Sequence, residues 1–216
     1  MIAERRDYAP HEYQPLITNH IIDVPRCAVW VGMGMGKSVA TLTALDLLFL
    51  AGETHPALIV GPLRVARRTW PNESKKWNHL RHITMSSLTG SEEERRLALK
   101  YDASVYTVNY ENLEWLVRHW GDRWPYRTVV GDEATRLKGF RLKQGTKRAR
   151  ALAPVAHTKV KRFIQLTGTP APKEAPLAGA VRLTVGALLP AVVICTLTVV
   201  ETADNPPLSV ATAVNE

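Results

Sequence analysis

A glycine-rich segment near the N-terminus has the residue types of a phosphate-binding loop. An apolar run ends at Val31, and a helical pattern opens at Lys37 and Ser38. Glycines let backbone N–H groups curl around one anion, and the new helix adds its positive end. We expect Lys37 to reach the terminal phosphates and the Ser38 hydroxyl to bind Mg²⁺. The full phosphate-loop pattern would have glycine in place of Val31, so a glycine turn with a surface lysine is the alternative. The candidate ligand-binding residues of the loop are Gly34, Met35, Gly36, Lys37 and Ser38.

Two adjacent carboxylates, Asp132 and Glu133, follow a second apolar run. Such a pair is costly at the end of a buried strand unless a cation or a polar ligand satisfies it. We predict that Asp132 holds Mg²⁺ and that Glu133 orients an attacking water. Glu133 and Lys37 are therefore the candidate catalytic residues. Taken alone, the pair also fits a helix N-terminus with a favourable dipole contact.

Short apolar runs alternate with helical patterns through residue 172. This alternation predicts an α/β fold with a mostly parallel, doubly wound sheet. The predicted strands are Cys27–Val31, Ala57–Val60, Ile83–Leu88, Ser104–Val108, Thr128–Gly131 and Phe163–Leu166. The predicted helices are Lys37–Leu50, Val65–Trp77, Ser91–Lys100, Glu111–Trp120 and Gly145–Ala153. Trp70, Trp77 and Trp115 lie at helical spacing among apolar residues and are predicted to belong to the core.

The charge balance favours a polyanionic partner. The 28 Lys+Arg against 20 Asp+Glu give a formal charge of +8, and no acidic residue occurs from Ala134 through Pro172. This basic region, which includes Lys138, suits sequence-independent contact with nucleic-acid phosphates, or forms a solvated surface. The two cysteines, Cys27 and Cys195, lie far apart, which excludes a disulfide framework and is typical of a cytoplasmic protein.

Residues 173–216 differ from the rest of the chain, since they contain no aromatic residue. Leu183–Val200 is an uncharged stretch near the minimum length of a membrane span. Pro190 and the missing aromatic belt argue against a membrane location. We predict a domain over residues 1–172, followed by an apolar tail that is truncated, frameshifted or poorly ordered and does not conform to the fold.

Six segments in order resemble the superfamily 2 helicase-like ATPases of the remodeller (Swi/Snf-type) branch and their phage relatives. "HEYQ" resembles the glutamine motif that reads adenine, which implies that role for Gln14. "GMGMGKS" is similar to motif I, and "DEAT" stands in the place of the DEAD/DEAH motif. "ALIVGPLRVARRTWPNESKKW" resembles motif Ia, which lies along the nucleic-acid backbone, and it implies that Arg64, Arg67 and Arg68 contact DNA. "SVYTVNYENL" resembles the segment where remodellers have a threonine-rich strand followed by Tyr-Glu. "LTGTPAP" resembles motif III, whose Thr167 and Thr169 would couple phosphate loss to the grip on nucleic acid.

The resemblance implies a RecA-like P-loop domain that uses ATP and Mg²⁺. Its implied function is the ATP-binding part of a DNA-dependent helicase or translocase that moves on DNA, with double-stranded DNA favoured. Members of the family need a second RecA-like domain, which supplies an arginine finger, and residues 173–216 are too few to form one. We therefore expect the isolated chain to hydrolyse ATP slowly, with a second domain supplied by a separate chain. A catalytically inactive DNA-binding remnant and a phage packaging-motor (terminase) ATPase are the alternatives.

Overall fold

The computed structural model describes residues 4–53, 55–134, 147–168 and 193–196. Its centre is a seven-stranded sheet in the order β3-β4-β2-β5-β6-β1-β7, and every pair of neighbouring strands is parallel. The central strands β2 and β4 are buried at every position, because helices cover both faces of the sheet. The strands are β1 (Arg26–Trp30), β2 (Ala57–Gly61), β3 (Met85–Leu88), β4 (Val105–Asn109), β5 (Thr128–Asp132), β6 (Arg162–Thr167) and β7 (Val193–Thr196).

Two hydrophobic clusters lie on opposite faces of this sheet. Alternate residues of β2 divide between them, since Ile59 packs in one cluster and Leu58 in the other. The first cluster includes side chains from α1, α2 and α3, and the second includes side chains from α5 and α6. This arrangement confirms the predicted α/β, doubly wound class. The helices are α1 (Gln14–Asp23), α2 (Lys37–Leu50), α3 (Trp70–Lys76), α4 (Glu92–Leu99), α5 (Leu113–Trp120) and α6 (Lys147–Thr158).

All six predicted strands are present, and the differences lie mainly in the helices. The predicted helix Val65–Trp77 begins as a π-helical turn over Val65–Thr69 before α3 starts. The last helix continues past the predicted end at Ala153, through Pro154, to Thr158. Helix α1 was not predicted at all.

The tail contributes one strand that sequence analysis did not predict. Val193–Thr196 form β7, which pairs in parallel with Cys27–Trp30 of β1. The prediction that the tail lies outside the sheet is therefore wrong for these four residues. A run of β-branched and apolar residues suits such a strand. The boundary near residue 172 stays a prediction, because residues 169–192 lie outside the described ranges.

Within the ranges that the structure describes, none of the helices combines the length and the apolar character that crossing a membrane requires. Most of the uncharged stretch Leu183–Val200 lies outside those ranges.

Candidate functional site

The candidate site lies where adjacent parallel strands end. Strands β5, β6 and β1 are neighbours in the sheet and end at Asp132, Thr167 and Trp30. Because all three run in the same direction, their carboxyl ends meet at one edge, which is where α/β sheets bind ligands. The fold therefore brings together the glycine-rich loop, the paired carboxylates and the threonine segment, which are far apart in the sequence.

The glycine-rich loop has the backbone shape that its glycines predict. Gly34 and Gly36 adopt φ values of 80° and 68°, a left-handed conformation that glycine takes most easily. Helix α2 then begins at Lys37, whose Nζ donates hydrogen bonds to the carbonyls of Val31 at 2.6 Å and Gly32 at 2.7 Å. Burial lowers the pKa of Lys37, and the charge of Asp132 acts in the opposite direction. The ammonium group is thus held against the loop that it is predicted to serve.

Gln14 lies directly against this loop. Its side chain is buried, and its Oε1 accepts hydrogen bonds from the Tyr8 hydroxyl at 3.1 Å and from the backbone N–H of His11 at 3.0 Å. A Cβ atom at Gly36 would stand 2.1 Å from Gln14 Nε2. Glycine is therefore favoured at position 36 both by its φ angle and by the close approach of Gln14.

A cavity of about 410 Å³ opens between the loop, the N-terminal segment and α3. This volume falls within the ~300–1,000 Å³ range of small-molecule pockets. Met35 packs against the core and anchors the loop that borders the cavity. Asp132 is not among the described lining residues, so its link to the loop is the charge interaction with Lys37. The lining includes Tyr8, His11, Tyr13, Gln14, Gly34, Gly36, Lys37, Ser38, Glu73, Lys76 and Trp77.

Both oxygens of the Asp132 carboxylate accept hydrogen bonds. The indole Nε1–H of Trp70 donates to Oδ2 at 2.9 Å, and the backbone N–H of Glu133 donates to Oδ1 at 2.9 Å. Burial raises the pKa of Asp132, whereas these two hydrogen bonds and the charge of Lys37 lower it. Trp70 is fully buried, as its predicted core position requires, but its contact with Asp132 was missed.

Glu133 has an unusual backbone for a residue with a side chain. Its φ is 53°, a conformation that is uncommon outside glycine and that is found at functional sites as well as in turns. The buried Tyr110 hydroxyl donates to the carbonyl of Asp132 at 2.5 Å and contacts that of Glu133 at 3.5 Å. Tyr110 thereby supports the turn. The side chain of Glu133 is exposed to solvent.

The end of β6 lies against the same loop. The carbonyl of Thr167 accepts a hydrogen bond from the Val31 N–H at 3.2 Å. A Cβ at Gly168 would stand 3.0 Å from Met33 Cγ and 3.5 Å from Lys37 Nζ, so the backbone of Gly168 approaches the loop closely. Thr169 lies outside the described residues.

Residues 30–178 match the SNF2-related domain family. The chain belongs to this family. The chain is 55% identical over 169 residues to putative protein p41 of Acyrthosiphon pisum secondary endosymbiont phage 1, covering 77% of this chain and 37% of that protein. It is 27% identical over 126 residues to chromatin remodeling factor mit1 of Schizosaccharomyces pombe, covering 52% of this chain and 8% of that protein. The chain thus spans well under half the length of these relatives.

Solved structures with the same fold include two helicase-type proteins. The Sulfolobus solfataricus SWI2/SNF2 ATPase core in complex with dsDNA superposes with a TM-score of 0.59 at 23% identity, covering 79% of this chain and 34% of that one. The UvsW helicase from bacteriophage T4 superposes with a TM-score of 0.60 at 15% identity, covering 78% of this chain and 57% of that one. The SNF2-related domain therefore has the fold of a RecA-like helicase core domain.

The predicted nucleic-acid contacts lie on a separate surface of the SNF2-related domain. Arg64, Arg67 and Arg68 are exposed, and they are carried by the helical turn that follows β2. These arginines do not line the cavity beside Lys37. Lys138 lies outside the described residues. Trp70, which follows the arginines in sequence, is buried and donates a hydrogen bond to Asp132.

Proposed function

We propose that this SNF2-related domain binds ATP with Mg²⁺ and hydrolyses it, as the nucleotide-binding part of a translocase that moves on DNA. One observation carries the proposal. The glycine-rich loop with Lys37 and the oriented Asp132 carboxylate lie at the ends of two parallel strands, β1 and β5, that flank β6, and the two charges interact. Phosphoryl transfer needs a cation against the phosphates and a carboxylate for the metal, and this edge of the sheet offers both.

The residues present fit a nucleotide. The two left-handed glycines shape the loop, and the adjoining cavity of about 410 Å³ has aromatic side chains and the Ser38 hydroxyl in its lining. The bonds to Gln14 Oε1 fix its carboxamide beside the loop, as suits a residue that reads adenine. In this proposal Lys37 leaves the carbonyls of Val31 and Gly32 to bind phosphate oxygens.

The residues also fit Mg²⁺, which takes oxygen ligands and keeps several waters. The Ser38 hydroxyl and the Asp132 carboxylate are the oxygens that would hold it. When bound, Mg²⁺ neutralises the charge that develops on the phosphate oxygens. Glu133, exposed on its strained turn, would orient the attacking water. Thr167, at the end of β6, would couple the loss of phosphate to the grip on nucleic acid.

Double-stranded DNA is the proposed nucleic-acid partner on which the translocase moves. The exposed side chains of Arg64, Arg67 and Arg68 suit contacts with backbone phosphates, which give affinity without reading sequence. The likeness to an ATPase core solved with dsDNA and to a chromatin remodeling factor supports this partner. The chain covers 34% of that core, so we propose that a second RecA-like domain, on a separate or longer chain, completes the enzyme. Hydrolysis by this chain alone is then slow, because an arginine finger contributes ~10³–10⁵ in rate.

The test is the binding of a fluorescent ATP analogue with Mg²⁺ to wild type, Lys37→Ala and Lys75→Ala. Lys75 is an exposed lysine of α3 that does not line the cavity, so it serves as the matched control. We expect Lys37→Ala to abolish binding and Lys75→Ala to leave it unchanged. Equal affinity in wild type and Lys37→Ala contradicts the nucleotide site. Binding of duplex DNA by a wild type that does not bind ATP identifies an inactive DNA-binding remnant instead.

A further inference from the structure

One helical segment reaches both proposed ligand sites. Residues 65–76 carry the exposed Arg67 and Arg68 at one end and the cavity-lining Glu73 at the other. Between them, Trp70 is fully buried, and its indole N–H donates to Asp132 Oδ2 at 2.9 Å. A displacement of this segment therefore moves an atom that is bonded to the proposed metal ligand.

The segment is attached to the sheet by side-chain hydroxyls. Pro71 has no N–H, and the Trp70 N–H bonds to the carbonyl of Val65, so the helix leaves the Ala66 carbonyl without its usual donor. The Thr107 hydroxyl of β4 donates to this carbonyl at 2.7 Å, and the Ser87 hydroxyl of β3 lies 3.3 Å from it. Hydroxyls from two strands thus hold the segment at its π-helical turn.

The carboxylate of Asp132 depends on this segment for its orientation. Its Oδ1 is bonded to Glu133 within the same turn, whereas its Oδ2 is bonded to Trp70 from a different element. Among the described residues, the indole is the hydrogen-bond donor that reaches this carboxylate from outside its own turn. Because Trp70 has no exposed surface, its ring cannot absorb a shift of the helix by swinging into solvent.

We propose that Trp70 is a positioning residue that couples DNA contact at Arg67 and Arg68 to the Asp132 carboxylate. The inference rests on the proposed function and adds to it a physical link between the two sites. DNA held by the arginines shifts or fixes the helical segment, and the indole N–H passes that change to Oδ2. By linkage, DNA then alters the affinity for Mg²⁺–ATP, and Mg²⁺–ATP alters the affinity for DNA by the same factor.

The experiment measures this factor without requiring hydrolysis. The affinity of the full chain for a fluorescent ATP analogue with Mg²⁺ is determined with and without saturating duplex DNA, in wild type, Trp70→Phe and Trp124→Phe. Phenylalanine keeps an aromatic ring and removes the indole N–H. Trp124 is the matched control, since it is also buried and its indole also donates at 2.9 Å, to the Tyr126 carbonyl in the opposite cluster.

The coupling ratio is the affinity for the ATP analogue with DNA relative to that without DNA. We expect Trp70→Phe to bring this ratio closer to one by roughly 2- to 30-fold, the range seen for residues that carry coupling. It should also raise the Mg²⁺ concentration needed for half-maximal binding. Trp124→Phe should keep the wild-type values of both. An unchanged ratio in Trp70→Phe overturns the proposal, and so does an equal loss in the two variants, which would indicate a structural role only.

Two further results separate this inference from the proposed function. Wild type that binds no ATP analogue refutes the proposed function, whereas wild type that binds both ligands with a ratio of one refutes the coupling alone. If Trp70→Phe does not fold, Thr107→Val replaces it, because that change removes the hydroxyl that anchors Ala66 and touches neither proposed site. A wild-type ratio in Thr107→Val then overturns the proposal.

Discussion

Gly36→Ala tests the contact between the loop and the N-terminal segment. The substitution forces an L-residue into φ 68° at a cost of ~1–2 kcal/mol. Its Cβ would also stand 2.1 Å from Gln14 Nε2, so the buried carboxamide must move. Moving it breaks the two hydrogen bonds that Oε1 accepts, each worth ~0.5–1.5 kcal/mol. We expect a total loss of about 2–5 kcal/mol in the free energy of unfolding.

Gly34→Ala is the matched control for the backbone cost. Gly34 has a similar φ of 80°, but a Cβ there would meet nothing within 4 Å. Its expected cost is therefore the backbone cost alone, ~1–2 kcal/mol. Urea unfolding of both variants gives the difference, which we expect to be about 1–3 kcal/mol, the worth of the two hydrogen bonds.

The double variant Gln14→Ala/Gly36→Ala checks the physical cause. Without the Gln14 carboxamide, Gly36→Ala should cost only what Gly34→Ala costs in wild type. The resulting non-additivity measures the contact directly. Equal losses for Gly34→Ala and Gly36→Ala, or strict additivity in the double variant, would refute the close approach of Gln14 to the loop.

Three other predictions concern stability and DNA. Interactions with Lys161 and Arg162 lower the pKa of Glu53 below its usual 4.5, so the stabilisation by its carboxylate is present above about pH 4.5 and is lost as the pH falls through the lowered value. Glu53→Gln should therefore have a lower free energy of unfolding than wild type near neutral pH, and the difference should disappear in acid. Arg67→Ala/Arg68→Ala should weaken DNA binding, with little sequence preference, and should reduce the slope of log affinity against log salt by ~2 in a fluorescence-anisotropy titration. An unchanged slope would place the DNA contacts elsewhere. Tyr110→Phe leaves the Asp132 carbonyl without its 2.5 Å donor and should cost ~1–3 kcal/mol in urea unfolding; a neutral effect would remove Tyr110 from the support of this turn.

The strands were predictable because they are short apolar runs between turn residues. A parallel strand covered on both faces needs apolar residues at consecutive positions, and β2 shows that pattern in its sequence and in its burial. Helix α2 was predicted with its observed ends, since the loop glycines define its start. Helix α1 was not predicted, although Pro15 in its first turn is a known start signal.

The details of the site depend on contacts that a linear pattern does not contain. Trp70 and Asp132 are separated by 62 positions, and only the sheet order brings them together. The same tryptophan pattern predicted a core residue, which is correct, but burial alone does not reveal which polar group an indole N–H will meet. The left-handed backbone of Glu133 was also not predictable, since it is held by Tyr110 from another element.

The sheet order has a consequence for how the domain forms during synthesis. Strand β1 is made early, yet in the described part of the sheet it pairs only with β6 and β7, and Arg26 meets Phe163. About 140 residues, at ~5–20 residues/s, take roughly 7–30 s to follow it. During that interval both edges of β1 lack a partner and the glycine-rich loop has no β6 behind it. A nascent chain should therefore acquire its nucleotide site last, and a ribosome stalled before residue 162 would present an apolar strand for chaperones to bind.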